Sequence, residues 1–137
     1  MMLAPLVQLV DIPQHRDARG WLSVAEIGGA LPFLVRRVYW IHGTKPGVGR
    51  GFHSHKQLRQ LCVCVAGSVR ISLFDGRREE SVVLGSSSKG LLIGPGIWRE
   101  MHDFSAECIL MILADAEYRE ADYIRTKLAF QEHCHGK

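Results

Sequence analysis

His53 and His55 stand one residue apart in Gly51-Phe52-His53-Ser54-His55-Lys56. On an extended strand, residues two apart project to one face, so both imidazoles would enter the same space. Two rings that titrate near neutrality, held together, can bind a metal ion or move a proton. The bland alternative is two polar rings facing solvent. Arg50 stands three residues before His53. Its planar fork suits phosphate or pyrophosphate oxygens, unless it is only a solvated charge at a loop end. Arg37 and Tyr39 also fall two apart and share a face with Val35. Tyr39 either donates to a ligand oxygen or sits in the core with its hydroxyl at the rim.

The densest polar-aromatic cluster is Trp98-Arg99-Glu100-Met101-His102-Asp103. Trp98 reads as core packing, as a stacking platform for a ligand, or as both. His102 and Asp103 are strand neighbours and point to opposite faces, which argues against a direct dyad. Trp21 and Trp40 read as packing. Ser86-Ser87-Ser88 lacks the context of a strained nucleophile turn and reads as loop. Gly94-Pro95-Gly96 lacks the phosphate-loop pattern and reads as a turn.

Five residues separate Gly47 from His53, and Gly67 closes the strand that follows. This spacing resembles the first sequence motif of the cupins, Gly-x5-His-x-His-x4-acid-x6-Gly. The acid of that motif is a metal ligand, but Gln60 stands in its place here. A neutral amide oxygen is a weak ligand for a hard or borderline cation. The best match to the second cupin motif is Pro95-Gly96-Ile97-Trp98-Arg99-Glu100, with Ile97 in the glycine position and Glu100 in that of the ligand histidine. Arg99 adds a permanent cation. The expectation is a barrel without metal or other cofactor, whose two rings are free to act as acid and base.

The chain has 137 residues, enough for one core, and 47% of them are hydrophobic, which argues against a disordered chain. A net charge of +3 with interleaved signs gives no basic run for nucleic acid. No apolar run approaches a membrane span, and no basic segment precedes an apolar stretch at the N-terminus. Cys62, Cys64 and Cys108 lie in apolar surroundings and read as packed free thiols, while Cys134 lies in a terminus expected to fray. These features read as a reduced, cytoplasmic, soluble protein.

The elements that must position these side chains are short strands. Apolar or alternating runs cover residues 6–9, 20–26, 33–41, 57–66, 68–74, 80–84, 90–93, 99–104 and 108–114, separated by Gly-, Pro- and Asp-rich turns. Residues 117–131 form either one short helix or a cover for the barrel. The expectation is an all-β fold, one jelly-roll β-barrel of the cupin kind spanning residues 1–137, with a short helical or extended tail.

Taken together, five runs closely resemble the dTDP-sugar 3,4-ketoisomerases, small cupins related to the WxcM-like proteins. They are Arg37-Val38-Tyr39, Arg50 to Lys56, Leu91-Leu92-Ile93-Gly94-Pro95, Trp98 to Ser105, and Asp122-Tyr123-Ile124-Arg125. The resemblance spans about residues 7 to 130. It implies a metal-independent shift of a ketone from C4 to C3 of dTDP-4-dehydro-6-deoxy-α-D-glucose through an enediol. It also implies a homodimer with exchanged N-terminal strands, and amination of the product by a pyridoxal-phosphate enzyme toward a 3-amino-3,6-dideoxy sugar. By the same resemblance His53 is the principal acid and base and His55 its partner, and Tyr39 and Arg50 position substrate or stabilise the enediolate. Arg37, Arg19, Trp98, Arg99 and His102 are the further substrate-binding candidates. The stereochemical signature is mixed. Arg99 replaces a histidine that many galacto-forming members carry, whereas Arg19, in Asp-x-Arg-Gly, looks like that group.

Three rivals remain: a dTDP-sugar 3,5-epimerase, a non-catalytic sugar-nucleotide-binding cupin, and a metal-dependent cupin oxygenase.

Overall fold

Short strands frame the computed structural model, which describes residues 4–136. The strands are β1 (Gln8–Asp11), β2 (Gln14–Asp17), β3 (Gly20–Ser23), β4 (Arg37–Ile41), β5 (Arg50–His55), β6 (Gln60–Ala66), β7 (Val69–Phe74), β8 (Glu79–Leu84), β9 (Lys89–Ile93), β10 (Trp98–His102), β11 (Ile109–Ala114) and β12 (Tyr123–Ile124). A 3-10 turn, Glu120–Asp122, precedes β12, and helix α1 (Lys127–His135) follows it.

Two five-stranded antiparallel sheets run in the orders β1-β9-β6-β11-β4 and β12-β5-β10-β7-β8, and β2 and β3 pair as a separate hairpin. The inner faces of the two sheets share one core. Cys62, Cys64, Leu91, Ile93, Leu110 and Ile112 come from the first sheet, and Val69, Ile71, Leu73, Leu84 and Met101 from the second. This is a jelly roll whose two sheets are packed face to face rather than hydrogen-bonded into a closed barrel. The strands β6 and β11 are central and nearly all apolar, as expected where both faces are covered. Their outer face is capped by the segment between β3 and β4, which seats Ala30, Leu31 and Phe33 on Leu61, Val63 and Leu113.

Several bounds differ from the sequence expectation. The strand expected over residues 33–41 begins at Arg37, because Phe33 turns into the outer cluster beneath the Arg59 guanidinium. Trp21 and Trp40 do not pack. They are 66% and 58% exposed, on the hairpin and on the edge strand β4. Cys134 does not fray: it lies half-buried on α1, near the carbonyl of Asp75. Thr126 caps α1 by accepting from the Ala129 amide, and the helix docks through Phe130, which is fully buried against Phe74, Trp98 and Ile124. Gly67 takes a positive φ in the β6–β7 turn, where a Cβ would come within 2.8 Å of the Cys108 backbone.

Candidate active site

The alternation of β5 sends His53 and His55 to one face, with ring centroids 4.8 Å apart and planes nearly perpendicular. Tyr123, brought alongside by the pairing of β12 with β5, leans on both rings at 5.0 and 4.3 Å. Arg99 stands opposite His53 in the β5–β10 register and so faces the same interior.

A cavity of about 500 Å³ opens above this cluster, within the range of small-ligand sites. Its lining includes Arg37, Tyr39 and His42 on or after β4, Arg50 and His53 on β5, and Tyr123 and Arg125 on or after β12. Strict alternation would place Arg50 on the face opposite His53. A β-bulge between Arg99 and Glu100 shifts the register, so that Arg99 pairs His53 while Met101 pairs Arg50. Gly51 and Phe52 absorb the bulge with φ of 90° and 52°. A left-handed Phe is uncommon, and it sits where the strand is bent to bring an arginine to the histidines.

The hydrogen bonds fix the tautomers. Nδ1 of His53 lies 2.8 Å from the carbonyl of Gly51, which can only accept, so Nδ1 carries the proton and Nε2 keeps the lone pair. His55 Nδ1 lies 2.9 Å from a carboxylate oxygen of Asp122, whose other oxygen accepts from the Gln57 amide at 2.8 Å. His55 is fully buried, and its Nε2 has no partner among the described residues. Burial pushes the His53 imidazole down to about 4, helped by the Arg99 and Arg125 charges and opposed by the Gly51 carbonyl. Burial, Arg99 and His53 push His55 to about 3 against the pull of Asp122. Both rings are therefore neutral at pH 7.

Tyr39 behaves oppositely, since burial raises its phenol to about 12 and keeps it a donor. Its oxygen accepts from Gln60 Nε2 at 2.9 Å, and Gln60 Oε1 accepts from Arg99. Arg99 is 1% exposed and bonds to no carboxylate among the described residues; Nε and Nη2 donate to the carbonyl of Ile97. Burial lowers its guanidinium to about 10, which still leaves it charged at pH 7.

The structure thus brings together His53, His55, Tyr39, Arg37 and Arg50, with Arg99 buried beside the histidines rather than lining the cavity. It does not bring Trp98, His102 or Arg19 there. Trp98, Glu100 and His102 occupy the other face of β10. There Trp98 packs on Phe130 and donates to Glu100 at 2.8 Å, and His102 lies 3.0 Å from the same carboxylate. Glu100, matched by sequence to a cupin ligand, consequently points away from the histidine pair. Arg19 is an exposed ion-pair partner of Asp17 on the β2–β3 hairpin. Among the described residues, no three His, Cys, Asp or Glu side chains converge as a metal would require. Sequence reasoning gave no role to Asp122, Tyr123 or Arg125. The one signal in the sequence is the run Asp122-Tyr123-Ile124-Arg125, which belongs to the family resemblance.

Residues 6–135 match the family described as FdtA, WxcM-like, C-terminal. The TDP-4-oxo-6-deoxy-alpha-D-glucose-3,4-oxoisomerase of Aneurinibacillus thermoaerophilus is 45% identical over 118 residues, 86% of this chain and 85% of that one. The structure is similar to QdtA, a sugar 3,4-ketoisomerase of Thermoanaerobacterium thermosaccharolyticum solved with TDP. The TM-score is 0.93 and the identity 37%, over 98% of each chain. It is also similar to the WlaRB TDP-quinovose 3,4-ketoisomerase of Campylobacter jejuni, with a TM-score of 0.87 and 38% identity over 92% of this chain and 97% of that one.

Proposed function

We propose, from the premise that this chain belongs to the FdtA (WxcM-like, C-terminal) family, that it is a TDP-sugar 3,4-ketoisomerase acting on TDP-4-keto-6-deoxyglucose. The observation that carries this reading is a neutral His53, its Nε2 lone pair held free by the Gly51 carbonyl, in the wall of an arginine-lined cavity. The C4 carbonyl acidifies the hydrogen at C3. His53 removes that proton and an enediolate forms across C3 and C4. The Tyr39 hydroxyl donates to the developing oxyanion. His53, a strong acid once protonated, returns a proton at C4. The proton on O3 passes to the neighbouring O4 of the enediolate, so the ketone ends at C3 with no net oxidation. His55, oriented by Asp122, is the second proton-carrying ring. Arg37 and Arg50 take the diphosphate, for which fixed guanidinium forks are suited.

The assay is incubation with TDP-4-keto-6-deoxyglucose in D2O, followed by NMR. Migration of the carbonyl to C3 supports the reading, with deuterium at C4 to the extent that the proton held by His53 exchanges with solvent before its return. Epimerisation at C3 and C5 favours the epimerase, and binding without change favours a non-catalytic module. His53→Asn should abolish turnover with the fold retained; near-normal turnover removes His53 from the mechanism.

A homodimer accounts for the β2–β3 hairpin. A lone hairpin is marginal by itself, and this one leaves Trp21 and Leu22 exposed. Packed on a second copy, these side chains would be covered, and light scattering on Trp21→Glu should then give monomer rather than dimer. The product ketone at C3 is what a pyridoxal-phosphate aminotransferase would consume. Free, buried Cys62, Cys64 and Cys108 suit a cytoplasmic location. No helix among the described residues is long and apolar enough to cross a membrane.

A further inference from the structure

Gln60 occupies the position where a metal cupin carries an acidic ligand, yet it neither lines the cavity nor faces solvent. Its amide is orientated without ambiguity. A guanidinium has donors only, so the group facing Arg99 Nη1 must be the carbonyl oxygen. The NH2 group then falls on Tyr39, 2.9 Å from the phenolic oxygen, which must accept. A phenol has one hydrogen. With its oxygen engaged by Gln60, that hydrogen is directed elsewhere, and Tyr39 lines the cavity. Arg99 is itself pinned by two bonds to the Ile97 carbonyl. Its charge polarises the amide and strengthens the bond that the amide gives to Tyr39. That bond pulls the phenol toward easier proton donation against the burial that opposes it.

We propose that Gln60 is a positioning residue for the isomerisation: bridged to the buried Arg99, it turns the Tyr39 hydroxyl proton into the cavity, where it meets the enediolate oxygen. The assignment rests on the ketoisomerase reading and deepens it. It differs from a merely structural role, in which Gln60 would do no more than satisfy a buried guanidinium.

Gln60→Glu separates the two. The side chain keeps its shape and still accepts from Arg99, but a carboxylate can only accept from Tyr39. The hydroxyl proton is thereby turned away from the cavity. Removing one preorganised oxyanion donor lowers kcat by about a hundredfold or more in well-studied cases. We expect kcat for Gln60→Glu to fall at least tenfold with KM changed less than about twofold. Tyr39→Phe should show a similar loss, and the double variant no further loss than either alone. Thermal unfolding of Gln60→Glu should fall no lower than that of the parent, because the Arg99 contact survives and now pairs the buried guanidinium with a carboxylate. A kcat within twofold of the parent overturns the proposal, as do losses from Gln60→Glu and Tyr39→Phe that multiply. Should Gln60→Glu not fold, Gln60→Met removes the donor to Tyr39 with an apolar group of similar length, and the same cycle applies. A parent protein that leaves the ketone at C4 fails the ketoisomerase reading; a working parent with an equally active Gln60→Glu fails this proposal alone.

Discussion

Lowering the pH from 7 to 5 perturbs His53 and His55 while leaving most carboxylates ionised. In the unfolded chain each imidazole titrates near its ordinary value of about 6.5. In the fold, burial and the Arg99 charge hold His53 near 4 and His55 near 3. The unfolded state therefore takes up protons from pH 6.5 downward, and the folded state does so only near 4. Both folded values are depressed, so the stability is present in full above pH 6.5 and is lost as the pH falls through that window. Integrated from pH 7 to 5, one fully shielded ring costs about 2 kcal/mol. His55 is fully buried and carries that share. His53 lines the cavity and is partly screened by water, so its share is smaller. We expect a loss of about 3 kcal/mol, a large fraction of the roughly 5–15 kcal/mol that stabilises a domain. Carboxylates such as Glu80, held low by the Val7 and Leu6 amides, give up their contribution only below this window. The assay is urea unfolding at pH 7, 6 and 5 followed by the fluorescence of buried Trp98. His53→Asn should remove the smaller part of the loss. Stability unchanged between pH 7 and 5, or an equal loss after both histidines are replaced by Asn, refutes the picture of two neutral rings sealed in the fold.

The remaining predictions concern activity. Asp122→Asn keeps one acceptor for the Gln57 amide but presents an NH2 group to His55 Nδ1, favouring the wrong tautomer; kcat should fall on the order of a hundredfold with KM little changed, as steady-state kinetics would show. The acid limb of kcat/KM should lie near pH 4 rather than 6.5. Replacing Arg125 by Gln removes a nearby positive charge and should move that limb upward; a parent limb near 6.5 would mean that the base stands in water.

Local pattern carried part of this site and long-range pairing the rest. The histidine pair and the Arg37–Tyr39 pair were legible because two-residue alternation holds unbroken through each. The same alternation divides Trp98, Glu100 and His102 from Arg99 and Met101, but nothing in residues 98–102 says which set faces the cavity. The β10–β5 register decides it, by placing Arg99 against His53. Arg50 reaches the cavity only through a bulge, and no spacing rule foretells a bulge. Asp122 lies 67 positions from His55 and meets it because β12 adds to the edge of β5. Trp21 and Trp40 misled for the opposite reason: composition marks a tryptophan as buried, but not which body buries it.

Arg99 is buried with no carboxylate partner among the described residues, and burying a guanidinium in that way costs several kcal/mol in a protein interior. A leucine there would serve the core better. The charge acts in two directions at once. On the imidazoles it is repulsive, and it helps to hold both rings neutral with their Nε2 lone pairs available. Through Gln60 it is a source of polarisation that ends on the Tyr39 oxygen. In the proposed mechanism, base and acid would thus be prepared by one fixed cation, which need not move or titrate during a turnover near neutral pH. An Arg99→Met variant should therefore bind TDP as before, since the diphosphate contacts proposed for Arg37 and Arg50 remain, yet lose kcat at least tenfold. Equal loss in TDP affinity, read by calorimetry, would place Arg99 in ligand binding instead.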